Sequence, residues 1–332
     1  MNYGLISKYR KELMGLATLW IVLLHGTAWF SSFLMGEIKA SGYCGVDGFL
    51  FLSAVGLYFS WQNHSNDIRS FYCRRFIRIM PAYLIIVAIR CVMENTGKRY
   101  FVLLSTTLSF WILDDLSMWF IAGIVILYIL SPLFLKTLES EKRTVWYTCF
   151  FLLAFLSGLI MRETPQNLFF VRIPSFLLGF LFAKRIYEKQ PLKSYEYGLF
   201  FVLFILGITL LVCSHIGIFD FSILFSWATR WYSALLFEVP LMLYISAGLD
   251  FMSTHHMKVL LKLASFIGEV SLETYLWYEV LLRFFRESKL ARLPFEYHGV
   301  VYSLIILAMA IVLAYAVHLL VKKWIMEKLS GI

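Results

Sequence analysis

One histidine lies in an apolar stretch, where burying an ionisable side chain costs free energy and therefore suggests a functional or structural role. His25 follows six apolar residues and lies about twelve residues after Leu13, which corresponds to roughly 18 Å along an α-helix. This spacing predicts a position near the middle of a membrane. Because a neutral imidazole is suited to proton abstraction near pH 7, His25 is a candidate general base. A histidine that is satisfied by a neighbouring helix would show the same pattern.

A carboxylate begins the next apolar run. Asp47 lies in the sequence Gly45-Val46-Asp47-Gly48. At the start of a helix, a carboxylate is favoured by the helix dipole and often serves only as a cap. It would equally suit a residue that faces an acceptor substrate or orients an imidazole. We predict that Asp47 is catalytic together with His25.

Two arginines precede a third apolar run. Arg75 and Arg78 are three residues apart and therefore share one helix face, and Pro81 is expected to open the following span. They are either a cationic anchor at the membrane boundary or a pair of guanidiniums that grips a phosphate-bearing ligand. Most of the other ionisable residues in apolar runs are expected to be paired structurally. These residues are Arg90, Glu238, Glu269, Glu273, Glu279 and His318.

The elements that must position these side chains are membrane-spanning helices. Of the 332 residues, 60% are apolar and 15% are charged, whereas soluble domains have about 45–50% and about 25%. This composition excludes a disordered chain, a nucleic-acid module and an ordinary cytosolic enzyme. Since each span needs about 20 apolar residues, the sequence predicts an all-α polytopic membrane protein with about ten spans. One domain would cover residues 1–332.

The predicted spans follow the apolar runs of the sequence. They are 13–35, 45–62, 80–95, 118–135, 145–162, 172–184, 196–216, 229–250, 263–285 and 299–322. The segment 100–113 is also apolar, but Asp114 and Asp115 follow it, so we expect it to lie at the interface or to re-enter the membrane. The five cysteines form no C-x-x-C pair and predict neither a metal site nor a disulfide.

The cations of the sequence fall mainly on one side of the predicted spans. With the N-terminus inside, most of the 30 Lys and Arg residues lie in loops of the same side. This bias predicts a plasma-membrane protein with both termini in the cytoplasm. The stretch 283–292 is an exception, because Arg283, Arg286, Lys289 and Arg292 fall on the predicted outer side. That stretch is either a counterexample or a basic patch that faces an acceptor.

Together, these motifs resemble the acyltransferase-3 family, polytopic enzymes that O-acetylate bacterial cell-surface glycans. Residues 13–25 are similar to the family's first span and 45–53 to its second, while Arg75, Arg78 and Pro81 match its Arg-x-x-Arg-x-x-Pro pattern. Further similarities follow in the family's order as far as about residue 280. They are Trp119-Phe120, Tyr128, Pro132, Gly179, Gly268 to Ser271 and Tyr275-Leu276.

Two positions depart from the pattern of the family. Met14 stands where the family has an arginine, eleven residues before the histidine. Arg10 and Lys11 precede Met14 by four and three residues, so we expect both on the same helix face, where either supplies the missing cation. Tyr278 stands where a late motif of the family has histidine. If either lost group is required for turnover, the protein would be slow, altered in its donor or inactive.

The resemblance implies acetyl-CoA as a cytoplasmic donor and a hydroxyl of a glycan or lipid-linked sugar as acceptor, with membrane lipids around the protein and neither a metal nor a nucleic acid involved. Arg75, Arg78, Arg10 and Lys11 would then bind the donor. His25 would act as general base or carry the acetyl group itself. Two other classes stay open. One is a transporter or flippase, against which the sequence shows no inverted repeat, and the other is a non-catalytic member of the family.

Overall fold

The computed structural model describes residues 1–63, 67–255, 257–287 and 299–323. Within these ranges the protein contains sixteen α-helices and no β-strand. The helices are α1 (Gly4–Lys8), α2 (Arg10–His25), α3 (Phe33–Ala40), α4 (Cys44–Asn63), α5 (Ile68–Met93), α6 (Lys98–Ser105), α7 (Leu108–Leu113), α8 (Trp119–Leu138), α9 (Arg143–Ile160), α10 (Asn167–Phe170), α11 (Ile173–Tyr187), α12 (Ser194–His215), α13 (Ile223–Thr254), α14 (Lys258–Glu269), α15 (Ser271–Glu287) and α16 (Val300–Val321).

Eight segments of the described ranges are long and apolar enough to cross a membrane. They are Phe33–Asn63, Ile68–Met93, Leu116–Leu138, Arg143–Ile160, Asn167–Tyr187, Ser194–His215, Ile223–Thr254 and Val300–Val321. The two remaining predicted spans correspond to shorter helices, since α2 has 16 residues and 263–285 is divided between α14 and α15. The chain is thus an all-α polytopic membrane protein, as the composition predicted. A helical architecture satisfies every backbone hydrogen bond locally, which lipid requires.

The first helix that matters for function ends earlier than the sequence suggested. The predicted span 13–35 is wrong in its limits, because α2 begins at Arg10 and ends at His25. Gly26 adopts an extended conformation with ψ 148°, and the next helix begins only at Phe33. The backbone N–H of Ala28 donates to Ser303 Oγ of α16 at 3.1 Å, so a tertiary contact holds the chain after the helix. His25 is consequently a helix-terminal residue.

The proline of the third motif does not start a helix. Pro81 lies inside α5, and the predicted span 80–95 is the second half of this 26-residue helix. Membrane helices tolerate an internal proline when neighbouring groups satisfy the freed carbonyl. The apolar segment 100–113 forms the short helices α6 and α7, which Thr107 separates with a φ of 63°. With eight and six residues, these helices are too short to cross a bilayer of about 30 Å.

Small residues place α2 in close contact with α14 and α4. A side chain at Gly15 would collide with the carbonyl of Ala264, and one at Gly268 would collide with the carbonyl of Lys11. A side chain at Gly45 of α4 would lie 2.8 Å from the carbonyl of Ala17. Glycine therefore lets the three backbones touch, as is common between membrane helices. This packing fixes the rotation of α2 and with it the directions of the side chains at its two ends.

Candidate active site

His25 lies beside a carboxylate from α15. Its Nδ1 is 3.3 Å from Oε1 of Glu279, and 37% of the histidine side chain remains exposed. Oε1 of Glu279 is buried and accepts no hydrogen bond within the described residues. This oxygen can therefore accept a hydrogen bond from a protonated Nδ1 of His25. A carboxylate in this position favours the tautomer that leaves Nε2 unprotonated, which is the form that a general base needs.

His25 and Glu279 line a cavity of about 550 Å³. Its walls come from the end of α2, the second half of α5, the segment between α7 and α8, and α15. Carboxylates, guanidiniums, hydroxyls and one indole line it together. The lining residues are His25, Thr27, Arg90, Asp114, Asp115, Leu116, Ser117, Met118, Trp119, Leu168, Glu279, Val280, Leu282, Arg283 and Arg286. This combination suits a small ligand with many hydroxyl groups.

A hydrogen-bonded network makes one wall of the cavity rigid. Arg90 is 1% exposed and donates from Nε to Glu94 at 2.9 Å and from Nη1 to Ser117 at 2.7 Å. Tyr100 donates to Asp115 at 2.7 Å. Burial alone would raise the pKa of Asp115, but the hydrogen bonds from Ser117 and Tyr100 outweigh it and lower the pKa. Asp115 is thus ionised at neutral pH and accepts hydrogen bonds rather than donating protons.

Three arginines cluster at the opposite end of α2. Arg10, Arg75 and Arg78 are close enough to repel one another electrostatically. None of the three forms an ion pair within the ranges that the structure describes, and Nε of Arg75 is buried without a hydrogen-bond partner. The guanidinium of Arg10 occupies the space directly above Gly56 of α4, which any larger residue would fill. Several guanidiniums without a counter-charge form a site for an anion with several oxygens.

Lys11 does not join this arginine cluster. Its Nζ lies 3.4 Å from Oε2 of Glu269 on α14, and 61% of its side chain is exposed. Lys11 therefore contacts α14 rather than the arginines of α5, and its role in donor binding stays a prediction. Successive residues of a helix point about 100° apart, so the packing against α14 takes Lys11 away while Arg10 turns toward α4 and α5.

Asp47 is engaged elsewhere in the bundle. It forms a buried ion pair with Arg172, the residue directly before α11, and accepts a hydrogen bond of 3.1 Å from Ser175 of α11. Both side chains of the ion pair are 2% exposed. The guanidinium of Arg172 also lies 4.9 Å from the ring centre of Trp231. Asp47 does not line the cavity that holds His25, so the structure does not bring the two predicted catalytic residues together. Glu279 takes the place beside the imidazole that Asp47 was expected to fill.

Sequence reasoning did not identify Glu279 as the partner of His25. The signal in the sequence was its spacing, because Glu279 is four residues before Arg283 and the two therefore share one helix face. In the structure both side chains line the cavity. Arg286 lines it as well, so two cations of the stretch 283–292 face the same cavity as His25. Two further cations of this stretch, Lys289 and Arg292, lie outside the described residues. Tyr278 is close to the site, since a Cβ at Gly26 would lie 3.2 Å from its hydroxyl.

The two clusters are held apart by one helix. Arg10 is the first residue of α2 and His25 the last, and 16 residues correspond to about 22 Å between the first and last Cα positions. Helix α5 runs alongside in the same direction, because Arg75 and Arg78 lie near Arg10 while Arg90 lines the His25 cavity. The arginine cluster and His25 thus lie at opposite ends of α2.

A family described as an acyltransferase domain matches residues 13–319, which is nearly the whole chain. No curated protein and no solved structure matches the chain significantly. The match includes α2 from Leu13 onward, Arg75 and Arg78 of α5, and the whole of α15, whereas Arg10 precedes it. On this match and the helical fold, the chain belongs to the acyltransferase-3 family and is a membrane acyltransferase.

Proposed function

We propose that the protein is an O-acetyltransferase of the plasma membrane that moves an acetyl group from acetyl-CoA to a hydroxyl of a cell-surface or exported glycan. The observation that carries this proposal is the contact of 3.3 Å between His25 and Glu279 in a cavity lined by hydrogen-bonding groups. The family supplies the class of reaction. The acceptor class rests on the polar lining and the resemblance.

In this reaction the acceptor hydroxyl gives its proton to Nε2 of His25 while its oxygen attacks the thioester carbonyl. The C–S bond then breaks, and the thiolate of CoA leaves with the electron pair and takes up the proton. Glu279 holds the imidazole through Nδ1 and stabilises the imidazolium that forms. In a two-step route the imidazole would first accept the acetyl group and pass it to the hydroxyl.

The arginine cluster is the proposed site for the phosphates of the donor. Arg10, Arg75 and Arg78 carry positive charge that no described carboxylate neutralises, and the cation bias of the loops favours a cytoplasmic location for this end and for both termini. The length of α2, about 22 Å, is comparable to the reach of an extended pantetheine arm. A donor bound by its phosphates would thus present its thioester near His25.

The test is transfer of label from radioactive acetyl-CoA to envelope glycans in membranes of expressing cells, read as ester label that hydroxylamine releases. His25→Gln and His25→Ala are expected to lower the rate by about 10²- to 10⁴-fold, the usual contribution of a general base. His255→Gln is the matched control, because His255 is exposed at the end of α13. Transfer at the wild-type rate in both His25 variants would overturn the proposal. Trapped label on His25 would select the two-step route.

A further inference from the structure

A second cavity, of about 860 Å³, lies between α9 and α11 and is separate from both clusters. It opens where α9 begins and α11 ends, at the end of the bundle that carries Lys184 and Arg185. Arg10, Arg75 and Arg78 of the arginine cluster do not line it, and neither do the residues that line the His25 cavity. Neither the family nor the proposed transfer reaction assigns it a role.

One end of this cavity is cationic. Arg143, Lys184 and Arg185 line it, and no Asp or Glu does. Arg185 pairs with Glu196 at 2.5 Å, while the ion pair of Lys184 among the described residues is an exposed contact of 3.8 Å with Glu188. Arg143 forms no ion pair within the described ranges.

The hydroxyls of Thr144 and Thr148 lie on the same wall of α9 as Arg143 and add donors at this end. The hydroxyl of Tyr147, in contrast, already donates to the carbonyl of Phe134 at 3.1 Å. The cationic end therefore has a surplus of positive charge together with two hydroxyls that are available to a ligand.

The other end of the cavity is apolar and open to the surroundings of the protein. Phe151, Leu152 and Leu181 line it, and Leu152 is 55% exposed. Arg143, Tyr147 and Phe151 follow one another at intervals of four residues, so they form one stripe along α9. The stripe leads from the cationic end into the apolar part of a helix that is long enough to cross the membrane.

We propose that this cavity binds an anionic phospholipid. Arg143, Lys184 and the threonine hydroxyls hold the phosphate of the headgroup, and the acyl chains lie along Phe151, Leu152 and Leu181. Basic pockets between membrane helices at the cytoplasmic surface recognise anionic headgroups in this way. A soluble phosphate compound would use the cations but leave the apolar wall uncovered. A zwitterionic lipid would cover the wall but gain less from the cations.

The experiment measures lipid binding to the purified full-length protein by native mass spectrometry. Palmitoyl-oleoyl phosphatidylglycerol, the phosphatidylcholine with the same chains, and inorganic phosphate are the three probes. The wild type is expected to retain phosphatidylglycerol in preference to phosphatidylcholine, and phosphate at equal concentration should not displace it. Equal retention of both lipids, or displacement by phosphate, would overturn the proposal.

Two neighbouring cations provide a matched pair of variants. Arg143→Gln is expected to weaken binding of phosphatidylglycerol about fivefold, as loss of one cation near a membrane surface predicts. Lys142→Gln removes the same charge from the adjacent residue, which does not line the cavity, and should bind like the wild type. An equal loss in both variants would mean that only the general surface charge attracts the lipid. The KM for acetyl-CoA should stay unchanged in Arg143→Gln, which separates this site from the donor site.

Discussion

At the scale of single residues, the proposed chemistry depends on one imidazole and the carboxylate next to it. The carboxylate of Glu279 lies 3.3 Å from Nδ1 of His25, and a carboxylate in this position favours the tautomer with the proton on Nδ1. In the proposed reaction Glu279 is thus a positioning residue that acts through His25. The ionised Asp115 and the rigid Arg90 of the same cavity contribute acceptors and donors for a polar ligand.

Glu279→Gln tests this role at the residue scale. The change keeps the shape of the side chain and removes its charge, so kcat should fall by about 10²-fold, within the range of general base catalysis. The KM for acetyl-CoA should stay within about twofold, because the arginine cluster lies at the other end of α2. Steady-state kinetics with Glu269→Gln as control checks this, since Glu269 pairs with Lys11 outside the cavity. An unchanged kcat would remove Glu279 from the mechanism.

At the scale of elements, α2 is the helix on which the proposed reaction depends. Its glycine contacts with α14 and α4 determine its rotation, and its length separates the arginine cluster from His25. Rotation explains why neighbouring residues have different partners. Arg10 meets the cations of α5, whereas Lys11 meets Glu269.

Arg10→Ala and Lys11→Ala form a matched pair on this helix. Loss of a charged hydrogen-bond donor to phosphate should raise the KM for acetyl-CoA about tenfold in Arg10→Ala. Loss of an exposed ion pair should change it less than about twofold in Lys11→Ala. Introducing Met14→Arg into Arg10→Ala should restore donor binding, because position 14 lies one turn further on the same face. Equal effects of the two single variants would place Arg10 outside the donor site.

At the scale of the whole molecule, buried polar pairs tie distant helices together. The ion pair between Asp47 and Arg172 joins α4 to the residue directly before α11, and both side chains are 2% exposed. A second pair, between His215 and Glu37 at 2.8 Å, joins α12 to α3. Breaking a fully buried pair such as that of Asp47 and Arg172 leaves an uncompensated charge.

Arg172→Met should lower the free energy of unfolding by about 3–5 kcal/mol, because it strands the carboxylate of Asp47. Adding Asp47→Leu should recover most of that loss, since two apolar side chains can replace a buried ion pair. Unfolding midpoints in detergent measure the stability, and acetyl transfer is measured in parallel. If the double variant is stable and active, Asp47 has a structural role. If it is stable but inactive, the predicted catalytic role of Asp47 stands.

The sequence by itself determined the fold class and the family, and it predicted part of the candidate site. An apolar content of 60% indicates that the chain lies in lipid. In lipid the backbone hydrogen bonds must be satisfied within the protein, and a helix satisfies them locally. The spacing of Arg75 and Arg78 determines that they share a face, because i and i+3 are neighbours on any helix. His25 stood out because an ionisable group in an apolar run is costly. Each of these inferences depends only on residues that are close in the chain.

Only the tertiary structure decided which distant residues meet. In the structure α2 ends at His25, His25 lies beside Glu279, and Asp47 forms an ion pair with Arg172. The structure also separates Arg10 from Lys11. These outcomes follow from how each helix is rotated and how deeply it packs, and both depend on close contacts such as those of Gly15 with α14. A local pattern carries no information on such contacts, because the partners come from helices far apart in the sequence.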